Sequence, residues 1–159
     1  MNYKDIIEEL QLQPHPEGGF YAETYRSSEF TLNQNGEKRN LSTAIYFLLH
    51  DTNKSNFHRI QSDELWFFHQ GEPIEIVTIQ GGKARTIILG NNIKQGELPQ
   101  ATIPANTWFG SKLNDGKGYA LVSCTVAPGF DFLDFELAER EKLANEFPNL
   151  KALIEEFTP

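Results

Sequence analysis

Apolar residues recur at two periods along this chain, and the change of period divides it. From Tyr3, apolar positions at Ile6, Ile7 and Leu10 follow the i, i+3, i+4, i+7 spacing of one helical stripe. Pro14 must end that helix, because an interior proline removes a backbone hydrogen bond and clashes with the preceding turn. A short docking helix is therefore predicted within residues 1–13. Gly18 and Gly19 then open the run 20–26, rich in aromatic residues, in which strand alternation sets Tyr21, Glu23 and Tyr25 on one face. Asn35-Gly36 is a strong turn signal. Residues 43–49 (TAIYFLL) are apolar on both faces, as a strand inside a sandwich would be. Short runs continue at 64–69, 74–79, 84–89, 107–109 and 119–126, separated by turns rich in Gly, Asn and Pro. About eight short strands of this kind predict an all-β sandwich or barrel over residues 18–128. Beyond Pro128-Gly129 the period returns to helical. Leu137, Leu143, Ala144 and Phe147 predict one helix, and Leu150, Leu153, Ile154 and Phe157 another, with Pro148 suited to its first turn. These helices, placed within 133–159, are expected to cover an open side of the sheets.

The 159 residues suit one domain with a single sizeable core, and no linker, internal repeat or low-complexity tract interrupts them. Fourteen basic against twenty-two acidic side chains give a net charge of −8, a field that repels phosphate backbones, so nucleic acid is not an expected partner. Cys124 has no partner for an internal disulfide and reads as a small core hydrophobe in a reducing compartment. No apolar run approaches the ~20 residues of a membrane span, and nothing near Met1 has the form of a signal peptide. A soluble, cytoplasmic protein without a membrane partner is expected.

Chemistry concentrates in 55–71, SNFHRIQSDELWFFHQG. Strand alternation puts Glu64, Trp66 and Phe68 on one face and Leu65, Phe67 and His69 on the other. A carboxylate among aromatic rings loses hydration, which raises its pKa unless a cation or donor compensates. Glu64 is then an acid/base or a ligand; alternatively it pairs with Arg26 or Arg85. His58 lies an even six residues earlier, but Gln61-Ser62-Asp63 reads as a turn that breaks the alternation. His69 precedes Gln70-Gly71-Glu72-Pro73 and is expected at a hairpin corner. His15, between two prolines, is read as ordering the approach to the first strand.

These residues resemble the cupin superfamily, whose first motif has the form HxHxxxE, six residues, glycine, and whose second has the form PxGxxH. His58, Glu64 and Gly71 match the first, with Ile60 where a second histidine would stand. Pro104 to Phe109 follows the outline of the second, with Asn106 for the glycine and Phe109 for the histidine. The phrases HPEGGFYAETYRS, FHRIQSDELWFFHQG, IPANTWFG and CTVAPGFDFLDFELA are similar, in that order, to the fifth cupin domain family, formerly a domain of unknown function. The resemblance implies a double-stranded β-helix, or jelly roll, with one small-molecule pocket, within a homodimer. It also implies that His58 and Glu64 face the interior. Catalytic metal sites use three protein ligands and an open position, and Ile60 and Phe109 cannot ligate. No cofactor is therefore expected, with at most a weakly bound divalent ion on His58 and Glu64.

Three functions follow from this reading. A metal-independent isomerase or epimerase of a polar, sugar-like metabolite would use His58 to remove a proton and Tyr21 or Tyr25 to return one, with Arg26 orienting an anionic group. A non-catalytic binding module would hold a ring among Tyr21, Tyr46, Trp66 and Trp108, oriented by Glu64 and His58, with Glu23 and His69 as further polar contacts. A metal-dependent dioxygenase or isomerase is the third.

Overall fold

The computed structural model describes all 159 residues. Helix α1 (Tyr3–Glu9) starts on a capping box: the Asn2 side chain accepts from the backbone N–H of Lys4 and Asp5, and Asp5 accepts from that of Asn2. It ends at Glu9, earlier than the proline requires, and two residues on Gln11 takes a left-handed φ of 54°. The chain then adds a two-residue edge strand, β1 (Gln13–Pro14). The remaining strands are β2 (Phe20–Arg26), β3 (Phe30–Leu32), β4 (Lys38–Asn40), β5 (Thr43–His50), β6 (Lys54–Arg59), β7 (Asp63–Gly71), β8 (Ile74–Gln80), β9 (Lys83–Leu89), β10 (Gln100–Ile103), β11 (Trp108–Leu113), β12 (Tyr119–Ala127) and β13 (Glu136–Leu137).

One sheet runs β1-β2-β5-β12-β7-β10 and the other β13-β6-β11-β8-β9, while β3 and β4 form a separate hairpin around Asn35-Gly36. The main core lies between the two sheets. Phe47, Leu49, Trp66, Val122 and Cys124 from the first pack with Ile74, Ile76, Leu89, Phe109 and Leu113 from the second. Both faces of β5 are apolar because Phe47 and Leu49 enter this core while Leu48 packs outward with Ile6, Leu12 and Leu121 beneath α1. The outer face of the second sheet is closed by α2 (Arg140–Glu146) and α3 (Lys151–Glu156): Phe57, Val77, Ile79 and Trp108 pack on Ala138, Leu143, Ile154 and Phe157.

The carboxy-terminal region differs from the predicted pair of helices in two ways. Leu137 is not helical but pairs with His58 as part of β13, so the sheet extends past residue 128. Pro148 opens a single 3-10 turn (Pro148–Leu150) that leads into α3. No helix is long and apolar enough to cross a membrane.

Two local backbone features shape strands β2 and β7. In β2 the register with β5 slips between Glu23 and Tyr25, so Thr24 is the extra residue of a β-bulge. Glu23 lies opposite Ile45 and Arg26 opposite Thr43, whereas Tyr25 lies opposite Ala44. The bulge thus groups Arg26 with Tyr21 and Glu23 and rotates Tyr25 out of the set. In β7 the first-motif glycine, Gly71, has φ of 99°, and a Cβ there would sit 2.1 Å from the Tyr119 carbonyl oxygen. Gly81 shares the left-handed backbone (φ 57°) but has open space around it. Gly71→Ala should therefore lower the melting temperature by clearly more than Gly81→Ala. The excess should be at least about 3 °C, given that 1 kcal/mol shifts a chain of this size by about 2–4 °C. Equal melting temperatures would refute the close approach.

Candidate functional site

A cavity of about 390 Å³ opens between the sheets at the end where β2, β6 and β7 begin or finish. His58 reaches it from β6 in the second sheet and Glu64 from β7 in the first. The bend at Gln61-Ser62 carries the chain from one sheet to the other, so the two side chains meet across the sandwich rather than along a strand. Tyr21, Glu23 and Arg26 line the same space.

The remaining sequence candidates lie elsewhere. Tyr25 is 57% exposed and does not line the cavity. Tyr46 lies on the outer face of β5, beside Leu48 and Leu121 under α1. His69 is also outward, exposed within β7 rather than at a hairpin corner, and hydrogen-bonded to Ser123. Trp66 is inward but fully packed, edge-on to Phe47 and Phe109. Trp108 lies on the opposite face of the second sheet, with the Arg59 guanidinium 4.4 Å over its ring.

The structure adds two polar groups that periodicity did not single out, His15 and Glu17. They sit in a tight turn closed by hydrogen bonds from the Gly18 N–H to the His15 carbonyl and from the His15 N–H to the Gly19 carbonyl, each 2.9 Å. Gly18 is indispensable there: its φ is 110°, and a Cβ would fall 1.9 Å from the Lys54 carbonyl oxygen. That approach lets the Asn56 N–H donate to the Glu17 carbonyl at 2.7 Å, two residues before His58. The Glu17 carboxylate then lies 2.9 Å from His58 Nε2.

Hydrogen bonding fixes the protonation of the two imidazoles. His58 Nδ1 faces the Asn56 carbonyl at 2.8 Å and must donate to it. Its Nε2 faces the Glu17 carboxylate, so the ring is an imidazolium when Glu17 is ionised. Burial alone would pull the His58 pKa down, but the Glu17 charge and hydrogen bond outweigh it, with help from Glu64 and the Asn56 carbonyl, and the net shift is upward. Burial likewise pushes Glu17 up, and the charge and hydrogen bond of His58, with His15 and Ser55, bring it below its ordinary value. His15 is different. Its Nδ1 accepts from the Glu17 N–H at 3.1 Å, leaving the proton on Nε2, and burial holds its pKa below the ordinary value.

Glu64 has no such partner. It is 8% exposed, and burial pushes its pKa up to about 7, with the Glu17 charge adding and the His58 charge partly opposing. Its polar neighbours are the Cys124 thiol and the Trp66 indole, and the indole N–H completes no well-aligned hydrogen bond. Neither Arg26 nor Arg85 pairs with it. Arg26 is bound by Glu23, by Asn40 and by the Phe130 carbonyl. The Cys124 thiol, buried beside Glu64, is pushed well above its usual pKa and stays protonated. The outer wall is the segment 130–135, whose Phe130, Phe132 and Phe135 rings line the cavity. It is anchored by the Arg39–Asp134 pair at 2.8 Å, both side chains 6% exposed.

These residues do not fit a cupin metal ion. Both His58 nitrogens are committed, Ile60 lines the cavity with an alkyl side chain, and the Phe109 ring packs 4.2 Å from the His58 ring. No three His, Cys, Asp or Glu side chains are arranged to share an ion.

The electrostatics make a direct prediction for stability. A carboxyl whose folded pKa is raised favours folding fully below its unfolded value, near 4.5, and loses that contribution as pH rises through about 7. Glu64→Gln removes this penalty. Its melting temperature relative to the parent should rise from pH 5 to about pH 7 and level off above it, by an amount corresponding to a few kcal/mol at the plateau. A difference independent of pH would show that Glu64 titrates normally.

Residues 4–138 match the family described as Cupin superfamily (DUF985). An uncharacterized protein of Saccharomyces cerevisiae is 30% identical over 152 residues, covering 87% of this chain and 76% of its own. Among solved structures, a hypothetical protein from Leishmania major superposes with a TM-score of 0.93 at 37% identity, over 99% of both chains. A protein from Shewanella oneidensis gives 0.91 at 39% identity, over 100% of this chain and 98% of that one. Oxalate decarboxylase from Bacillus subtilis shares the fold alone, with a TM-score of 0.57 at 11% identity over 91% of this chain and 36% of that one. Two facing sheets, a pocket between them and a family match over most of the length agree: the chain belongs to the cupin superfamily, in the family DUF985.

Proposed function

We propose that this cupin is a metal-independent acid–base enzyme, an isomerase or epimerase of a small, polar, sugar-like carbonyl compound. The observation that carries the reading is Glu64: a buried carboxyl without a strong partner, facing a cavity, with a pKa of about 7. A general base works best with a pKa near the operating pH, and burial is the usual way a carboxyl gets there. A purely structural glutamate so deep in a core would be paired or capped by donors.

The roles differ from those suggested by the sequence. His58 cannot take a proton from a ligand, because Asn56 and Glu17 occupy both its nitrogens. It acts as a fixed positive charge near the base. Glu64 as carboxylate removes the proton from the carbon next to the carbonyl, the electron pair moves onto the carbonyl oxygen, and the His58 charge stabilises the resulting enediolate. The proton returns from Glu64 or from the Tyr21 hydroxyl, which lines the same cavity. His15, neutral with its proton on Nε2, supplies a second donor. The cavity volume lies at the low end of the roughly 300–1,000 Å³ of small-molecule sites, which favours a compact metabolite over a nucleotide-linked one.

Hydrogen exchange tests this even while the product is unidentified. The protein in D2O is incubated with a panel of free aldoses, ketoses and short hydroxycarbonyl compounds, and loss of the C–H signal next to the carbonyl is followed by NMR. Catalysed exchange is expected for at least one compound, with a rate that rises through about pH 7 as Glu64 ionises. Glu64→Gln should lower that rate by about 10²–10⁴-fold. Exchange with no compound, or exchange unchanged in the variant, would sink the proposal.

A further inference from the structure

We infer that Glu23 sets the charge selectivity of this cavity: by neutralising Arg26 it makes the site one for uncharged polar ligands and closes it to phosphorylated or carboxylated ones. The inference deepens the reading of the cavity as a ligand site and rests on it. It concerns which molecules enter rather than what is done to them.

Charged groups at a site select ligands by complementarity, and an anion needs a cation with donors to spare. Only two lining residues carry positive charge, Arg26 and His58. Each is already matched. Glu23 grips Arg26 side-on, accepting from Nη2 at 2.5 Å and from Nε at 3.2 Å. Nη2 also donates to the Phe130 carbonyl at 3.0 Å, and Nη1 to the Asn40 side chain at 2.7 Å. Four of the five N–H groups are thereby committed. His58 is matched by Glu17 and has no free nitrogen. Asp131 and the partly ionised Glu64 then leave the lining with an excess of negative charge. A phosphate reaching Arg26, whose side chain is 37% exposed, would meet the Glu23 carboxylate rather than open guanidinium.

The apolar half of the lining points the same way. Phe130, Phe132 and Phe135 supply apolar wall to the C–H surface of a neutral, sugar-like molecule, while Glu64 and Tyr21 offer hydrogen bonds to its hydroxyl groups. The arginine expected to orient an anionic group instead holds the cavity wall, tying β2 to the start of the Phe130 segment.

Inorganic phosphate is a sufficient probe, because it reads charge acceptance without a substrate. Phosphate is titrated by calorimetry at constant ionic strength into the parent protein, into Glu23→Gln and into Glu23→Gln/Arg26→Met. Glu23→Gln keeps the two other partners of Arg26 and removes only the neutralising charge, so the fold is retained. The parent is expected to show no saturable binding, Glu23→Gln to bind at least tenfold more tightly than any residual signal of the parent, and the double variant to lose the gain. Phosphate binding by the parent as tight as that by Glu23→Gln, or no gain in Glu23→Gln, would overturn the inference. Because no turnover is measured, failure of the hydrogen-exchange screen bears on the acid–base reading alone, and failure here bears on selectivity alone.

Discussion

A buried ion pair between Glu17 and His58 organises the interior of this protein. Taking a carboxylate and an imidazolium out of water costs several kcal/mol per ion, and their attraction offsets that only when the geometry is good and the remaining donors are satisfied. Both conditions are met: the contact is 2.9 Å, and the other His58 nitrogen has the Asn56 carbonyl. The same arrangement lets Glu64 be different from its neighbour. The charge that would ionise Glu64 is already engaged by Glu17, so burial dominates and the two carboxyls separate, one held below the ordinary range and one near 7. Two acids in one cavity with divergent pKa values can divide the work of structure and chemistry between them.

Where the residues that resemble a metal motif depart from it, other physics fills the gap. Phe109 packs its ring at a tilt against His58 and completes the core with Trp66 and Phe47. Asn106, at the motif's glycine position, has φ of 58°, and asparagine is among the few residues that enter this region readily. Its N–H donates to the Ile60 carbonyl at 2.8 Å, so the turn needed for the fold survives while the ligand positions do not. The backbone of the motif and the chemistry of the motif are separable.

Much of the sandwich was legible from short apolar runs bounded by turn residues, with inward and outward residues alternating along β7 up to a second bulge at His69. What was not legible lay where alternation fails. The bulge at Thr24 moved Tyr25 off the face shared by Tyr21 and Glu23, and no local residue announces such a slip. Strands β1 and β13 are two residues long, β3 and β4 three and β10 four, and β6 (KSNFHR) is largely polar, so six of the thirteen were too short or too polar to carry a periodic signal. In the site, His58 and Glu64 could be picked out together because a motif spans them. Glu17 could not, since it meets His58 through a chain separation of forty-one residues that no spacing rule covers. Its one trace was the phrase HPEGG, where two glycines beside a histidine and a glutamate mark a turn that must approach another strand closely. Trp108 and Tyr46 were misplaced for the opposite reason: large aromatics suit a binding wall and an outer-face core equally well, and here the terminal helices claim them.

The crossing at Gln61-Ser62 gives the site an unusual mechanical character. Since His58 belongs to one sheet and Glu64 to the other, their separation is not set by any strand but by how far apart the two sheets pack. Sheet spacing is in turn a property of every side chain in the layer between them, from Leu89 at one end to Cys124 beside the cavity. The distance between the His58 charge and the Glu64 carboxyl therefore depends on the packing of the whole layer between the sheets rather than on the geometry of any one strand.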